Sequence, residues 1–154
     1  MSDWKRITKE VAFQSLAPNM VSAIIEHIQE YNLGPILSDV LMCVQTDSEK
    51  AKRGLFGKGE TVRMGAVVTP RYLIWAIDDG KGHTTALSAL LRGVVIMDYA
   101  KTKFAKMVPD SGMEVSGQIT DVAEDGLIFI GLDEGTAGTR FKEIVLQAAQ
   151  DAKK

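Results

Sequence analysis

Basic and apolar side chains alternate in one short segment, residues 50–63, which reads KAKRGLFGKGETVR. Lysine and arginine bind phosphate groups, and a neighbouring apolar pair can enter the interface of a membrane. The candidate residues for contact with a phosphate or an anionic membrane are Lys50, Lys52, Arg53, Leu55, Phe56, Lys58, Arg63 and Arg71. Because each cation near an anionic surface contributes only about 1 kcal/mol, the expected attraction is weak and sensitive to salt.

The glycines of this segment do not form a nucleotide-binding loop. Gly54 and Gly57 are three positions apart, whereas the Walker pattern needs five, and Lys58 is followed by glycine instead of serine or threonine. A second interpretation of the segment is a connector between two strands, in which Leu55 and Phe56 pack on the rim of a core. Both interpretations remain open at the level of the sequence.

Catalytic and metal-binding patterns are not found. His27 and His83 have no cysteine or second histidine at ligand spacing, so no metal site and no cofactor is predicted. Ser88 and Ser111 lack the surroundings of a nucleophile elbow, and no catalytic residue is assigned. The sequence therefore favours a protein that is not an enzyme.

An alternative function uses a pocket in the interior or mouth of a rolled sheet. Tyr72, Trp75, Asp98 and Tyr99 are the polar and aromatic residues that would line it. In that case the chain would be a small-molecule carrier or a small enzyme. The inward apolar residues expected from the strand pattern argue against it, since they are numerous enough to fill a small barrel.

Composition limits the class of protein. The chain has 154 residues, 45% hydrophobic and 25% charged, which is typical of one globular unit. Its net charge of −2 predicts no nucleic-acid partner. Cys43 lies in an apolar run and is expected to be a buried, unreactive thiol. Since no secretory signal and no run of about 18 apolar residues is present, a cytoplasmic location is expected.

The first part of the chain has helical spacing. Trp4, Ile7 and Val11 predict a helix over residues 3–17 that ends before Pro18. A second helix is predicted from near Asn19 to a C-terminal cap at Gly34, with an apolar stripe at Val21, Ile24, Ile25, Ile28 and Tyr31. These two helices define a predicted N-terminal segment, residues 1–34.

The remainder, residues 35–154, reads as an antiparallel β domain with a final helix. Seven strands are predicted, at Ile36–Gln45, Thr61–Val68, Tyr72–Ile77, His83–Leu87, Val94–Tyr99, Met113–Thr120 and Leu127–Leu132. Their connections are too short for parallel crossovers, so a meander is expected. After residue 135 the spacing is again helical, and this amphipathic helix is expected to cap one end of a rolled sheet.

Residues 57–99, GKGETVRMGAVVTPRYLIWAIDDGKGHTTALSALLRGVVIMDY, resemble the bacterial pleckstrin-homology-like (PH-like) family. The core of the likeness is GAVVTPRYLIW, followed by a later step at Leu87, Ser88 and Leu90. The resemblance extends over about residues 36–150. It implies a seven-stranded roll or barrel capped by a C-terminal helix, and the two predicted N-terminal helices lie outside that minimal domain.

The function expected from these observations is that of a non-enzymatic PH-like binding or scaffolding domain. A protein partner or a second copy of the chain is the expected partner, held through the helices at 3–32. Because relatives in the broader superfamily bind anionic lipid headgroups, the resemblance adds a weak contact between the loop at 50–58 and an anionic membrane or phosphate. No cofactor is expected.

Overall fold

The computed structural model of the chain describes residues 3–50, 59–120 and 126–154. In these ranges it consists of one seven-stranded sheet and two helices. The elements in chain order are β1 (Trp4–Glu10), α1 (Pro18–Glu30), β2 (Met42–Lys50), β3 (Glu60–Val68), β4 (Tyr72–Asp78), β5 (Thr84–Asp98), β6 (Gly112–Ile119), β7 (Gly126–Gly131) and α2 (Thr136–Ala152).

The sheet is the predicted antiparallel meander. Its strands lie side by side in chain order, each antiparallel to its neighbours, and the sheet curls into a half-barrel. Helix α1 lies in the connection between β1 and β2, and α2 follows the last strand. The predictions of a meander and of a C-terminal helix are therefore confirmed.

The predicted helix over residues 3–17 is wrong, and this region instead contains β1. The strand pairs with β2 from Trp4 opposite Lys50 to Glu10 opposite Val44. Its side chains alternate in burial, with Arg6 and Thr8 turned inward. Because these inward residues are polar, the apolar residues alone do not show the strand period. The chain therefore has one N-terminal helix, α1, and not two.

The strand boundaries differ from the prediction in two further places. Residues Ile36–Asp39 form a turn of 3₁₀-helix, so β2 begins only at Met42. The two strands predicted at His83–Leu87 and Val94–Tyr99 are one strand, β5, whose pairing with β6 shifts between Ala89 and Val94. Strand number stays at seven because β1 replaces the strand lost by this fusion.

The two faces of the sheet carry separate cores. On one face α2 packs through Phe141 and Val145 against a cluster that includes Trp75. On the other face α1 packs through Met20 and Ile24. Successive side chains of β4 point alternately into the two cores, which is why this strand is a continuous apolar run. Full burial of one such large side chain contributes about 1.5–3 kcal/mol.

Cys43 belongs to the core under α1, where it is 3% exposed. Burial raises the pKa of its thiol to about 12, so the sulfur stays protonated and weakly reactive at neutral pH. The prediction of a buried thiol is confirmed.

Strands β1 and β7 form the two edges of the curled sheet, and side chains connect them. Arg6 binds both carboxylate oxygens of Asp110, at 2.9 and 2.8 Å, and donates to Ser48 Oγ at 2.7 Å. The Thr8 amide donates to Asp133 Oδ2 at 2.8 Å, while the Asp133 amide donates to Thr8 Oγ1 at 2.9 Å. We call this group of four residues, Arg6, Thr8, Asp110 and Asp133, the seam.

We expect Arg6→Met to lower the free energy of unfolding by roughly 2–3 kcal/mol, because it leaves the nearly buried Asp110 carboxylate without its partner. Urea denaturation measures the loss. The matched control is Arg140→Met, whose ion pair with Glu10 is exposed and whose loss costs less than about 1 kcal/mol. If Arg6→Met and Asp110→Asn had additive effects in the double variant, the two side chains would not be coupled and the seam would be misassigned.

Candidate functional site

Two of the predicted phosphate-binding residues lie close to the segment 51–58. Lys50 ends β2, and its ammonium group is 5.7 Å from the centre of the Trp4 ring. Arg63 lies on β3 and donates to Asp78 Oδ2 at 2.7 Å. Five other predicted residues lie outside the described part of the chain, namely Lys52, Arg53, Leu55, Phe56 and Lys58.

Arg71 is not brought together with Lys50 and Arg63. It lies in the turn between β3 and β4, at the opposite end of β3 from the segment 51–58. A nine-residue strand places these two ends roughly 25 Å apart. The Arg71 guanidinium group lies 5.7 Å from the centre of the Tyr72 ring. Arg71 therefore lies far along the sheet from Lys50 and Arg63, the two other predicted basic residues that the structure describes.

Asp78 organises the turn between β4 and β5. Its carboxylate accepts hydrogen bonds from Arg63, from the Gly80 amide at 2.9 Å and from Asn19 Nδ2 at 3.0 Å. These bonds, with that of Arg63 the strongest, lower the pKa of Asp78 to about 2. Arg63 is thus engaged in a structural ion pair, which leaves its charge partly neutralised for any phosphate contact.

This ion pair predicts a loss of stability in acid. The folded pKa of Asp78 is below the value of about 3.9 in an unfolded chain, so its contribution is complete above about pH 5 and is lost as the pH falls towards 2. We expect Asp78→Asn to lower the free energy of unfolding by about 1–2 kcal/mol at neutral pH, less than the full linkage value because Arg63 is partly exposed.

Urea denaturation of the parent chain and of Asp78→Asn between pH 7 and pH 2 measures this contribution. The difference between them should shrink as the pH approaches 2, whereas the exposed control Asp39→Asn should show little difference throughout. A difference for Asp78→Asn that stays constant across the range would contradict the assignment.

The four residues predicted to line an interior pocket are dispersed. Trp75 is fully buried in the core under α2. Asp98 binds the Ala100 amide and pairs with Lys142 at 3.1 Å, whereas the Tyr99 ring packs edge-on against Phe129. Tyr72 lies among the residues that pack around the α1 core. These positions do not enclose one common space.

A surface that the sequence reasoning missed lies on the outer side of β5, β6 and β7. Four large apolar side chains are exposed there, Val95 by 58%, Leu127 by 56%, Met97 by 43% and Phe129 by 36%. The strand register arranges them in two rows across β6, which contributes Ser116 to the first row and Glu114 to the second. We call these six residues the open face.

The open face looks away from the core under α2. Ile96, Val115 and Ile128, which alternate with its residues along the three strands, pack on that core. On β3, β4 and the first half of β5, the corresponding face is covered by α1. The sequence contains one signal of the open face, in β7. The run Leu127–Ile130 is apolar at every position, which is typical of a strand that is covered on both sides.

Charged residues lie beside the open face and, in Glu114, within it. Lys101, Lys103 and Lys106 lie in the two short 3₁₀-turns that follow β5, with the exposed Phe104 between them. Within residues 3–50, 59–120 and 126–154, neither these lysines nor Glu114 forms an ion pair. The surface therefore offers unpaired charges of both signs next to exposed apolar side chains.

A buried polar cluster joins α1 to the sheet. His27 Nε2 lies 2.8 Å from Ser88 Oγ and 3.2 Å from Thr120 Oγ1, and the two hydroxyls are 3.0 Å apart. The Ser88 amide donates to Thr120 Oγ1 at 2.9 Å. His27 and Ser88 are both buried, and the hydrogen bonds of the cluster join them across the contact between α1 and the sheet.

We expect Ser88→Ala to lower the free energy of unfolding by about 1–3 kcal/mol, because a buried partner of His27 is removed while the histidine stays in place. Thermal and urea denaturation measure this change. Ser116→Ala is the matched control, since Ser116 lies on the open face with a 3.5 Å contact to the Val95 carbonyl, and its effect should stay within about 0.5 kcal/mol. Equal effects of the two substitutions would contradict a stabilising role for the cluster.

Comparison with known proteins identifies no relative: no family model matches the chain, and no curated protein or solved structure matches it significantly. None of the helices in the described ranges is long and apolar enough to cross a membrane.

Proposed function

We propose that this chain is a PH-like, non-enzymatic binding domain that associates with a second copy of itself through the open face. The observation that carries this proposal is the exposure of four large apolar side chains on one continuous sheet surface. Large apolar side chains exposed together on one sheet surface are typical of protein interaction sites. The antiparallel meander and the C-terminal helix support the PH-like assignment, because they are the arrangement that the resemblance implies.

The charges around the open face favour a second copy of the chain as the occupant. A two-fold interface brings the same patch of two protomers together, so a residue of one protomer contacts a different residue of the other. Such an arrangement can place Glu114 of each protomer against the lysines of the other. These charge pairs would fix how the two protomers are aligned, which contacts between apolar side chains alone would not do.

The predicted contact between the loop at 50–58 and an anionic membrane or phosphate is a separate part of the proposal. In the described residues, Arg63 is paired with Asp78 and Lys50 lies near Trp4. The loop would therefore depend on its other cations, and its attraction to a membrane would be weak and reduced by salt.

Sedimentation velocity from micromolar to near-millimolar concentration tests self-association. We expect a reversible dimer, weakened at least about tenfold, or 1.4 kcal/mol, by Leu127→Glu. The matched control is Leu41→Glu, at an exposed leucine outside the open face, which should leave the dissociation constant unchanged. A chain that stays monomeric over the whole range would overturn the proposal.

A charge exchange tests the register of the two protomers. Glu114→Lys alone and the pair Lys101→Glu and Lys103→Glu alone should each weaken the homodimer, because each places like charges together. Mixing the two variants should restore association as a heterodimer, in which each replaced residue again faces an opposite charge. Failure of the mixture to associate more tightly than either variant alone would exclude this pairing of the open faces.

A further inference from the structure

A second surface feature lies at the middle of β5, next to the open face. It is a cleft of about 410 Å³ between the end of α1 and strands β4 to β6. Residues that line it include Tyr31, Leu33, Tyr72, Ser88, Leu90 and Thr120. This volume is in the range of small-molecule sites, which are commonly 300–1,000 Å³. None of the residues of the open face lines the cleft.

The break in the β5–β6 ladder opens this cleft. Ala89 pairs with Ile119, but the next pair is Val94 with Gly117, so residues 90–93 have no partner on β6. The ammonium group of Lys153, at the end of α2, binds the carbonyls of Leu91 and Val94 at 3.3 and 2.7 Å. The irregular backbone is thereby held in place, as is common for bulges beside binding sites.

The walls and the floor of the cleft differ in chemistry. Tyr31 and Leu33 line it from the end of α1, while Tyr72 and Leu90 line it from paired positions on β4 and β5. The hydroxyls of Ser88 and Thr120 lie in the floor and are positioned by buried His27. Aromatic walls of this kind bind a flat ring.

Two arginines line a cavity that neighbours the cleft and also includes Ala152 of α2. Arg71 and Arg92 line a small adjoining cavity of about 160 Å³ that shares Leu90 with the cleft. The Arg71 guanidinium also lies over the ring of Tyr72, and the Leu91 amide donates to the Arg71 carbonyl at 2.8 Å, which ties the two arginine segments together. Neither guanidinium has a carboxylate partner within the described ranges.

We propose that the cleft beneath the end of α1 binds a small aromatic molecule carrying a carboxylate or phosphate group. The ring lies between Tyr31 and Tyr72, over the floor formed by Ser88 and Thr120, and its anionic group is bound by Arg71 and Arg92. Guanidinium groups bind both carboxylate and phosphate oxygens in a fork geometry, so the two anions share one mode of recognition. This site is independent of the self-association proposed above.

Isothermal titration calorimetry with three naphthalene probes tests the site: 1-naphthoate, 1-naphthyl phosphate and the neutral 1-naphthalenemethanol. We expect at least one of the two anions to bind about tenfold or more tightly than the neutral probe. The stronger of the two identifies carboxylate or phosphate as the preferred group. Equal affinity of all three, or no heat of binding for any of them, would overturn the proposal.

Variants locate the binding. The double substitution Arg71→Gln and Arg92→Gln should remove the preference for the anionic probes, whereas the exposed Arg140→Gln should leave it intact. The two replaced side chains are exposed, and a thermal melt of each variant verifies that it is folded. In a nuclear magnetic resonance titration, backbone amide shifts should concentrate at Tyr72, Leu90 and Thr120. Shifts concentrated on the open face, or an anion preference retained by the double variant, would contradict the assignment.

Discussion

A curled sheet that does not close through backbone hydrogen bonds has two exposed edges. In this protein, side-chain hydrogen bonds join the two edges. Arg6 spans from β1 to Asp110, which lies just before β6, and Thr8 and Asp133 exchange two hydrogen bonds across the gap to the segment after β7. A side chain on Gly131 would collide with the Arg6 guanidinium, since an added Cβ would lie 2.4 Å from it. The edge problem of an open sheet is thus managed by polar residues directed inward.

The curl gives the sheet a concave side and a convex side, and the two sides are covered to different extents. The concave side is filled by α2, whose Phe141 and Val145 are fully buried. The convex side is divided, because α1 covers β3, β4 and the first half of β5, whereas the open face continues beyond it. Both proposed binding surfaces follow from this division: the open face lies where α1 does not reach, and the aromatic cleft lies where α1 ends.

Elements with an apolar inward face could be predicted from the sequence. Strands β3, β4, β6 and β7 and helix α2 all have apolar residues at the spacing of their type, and each was expected within a few residues of its position. β1 could not be predicted in this way, since its inward residues are Arg6 and Thr8, which are polar and bind Asp110 and Asp133 more than 100 positions away in the chain. The sequence predicts two strands in place of β5 because Arg92 and Gly93 interrupt the apolar pattern, whereas in the structure the strand runs through both and Lys153 binds the carbonyls of Leu91 and Val94.

The sites follow the same logic. The basic residues around segment 51–58 predict an anion-binding loop from the sequence, but the structure separates Arg71 from Lys50 and Arg63 and pairs Arg63 with Asp78. The open face and the cleft depend on register between strands and on where α1 ends, and neither is visible in local spacing. His27 illustrates the difference: a lone histidine in the sequence becomes part of a cluster once β5 and β6 place Ser88 and Thr120 beside it.

Hydrogen exchange of the Thr8 amide tests the seam most directly. This amide lies on an edge strand and donates to the Asp133 carboxylate instead of to β2, so only the seam protects it. The account predicts that it exchanges as slowly as amides in the interior of β2 and β3, with a free energy of opening close to that of global unfolding. Exchange at the rate of an unprotected amide, while β2 and β3 remain protected, would show that the two edges are not joined and would contradict the account.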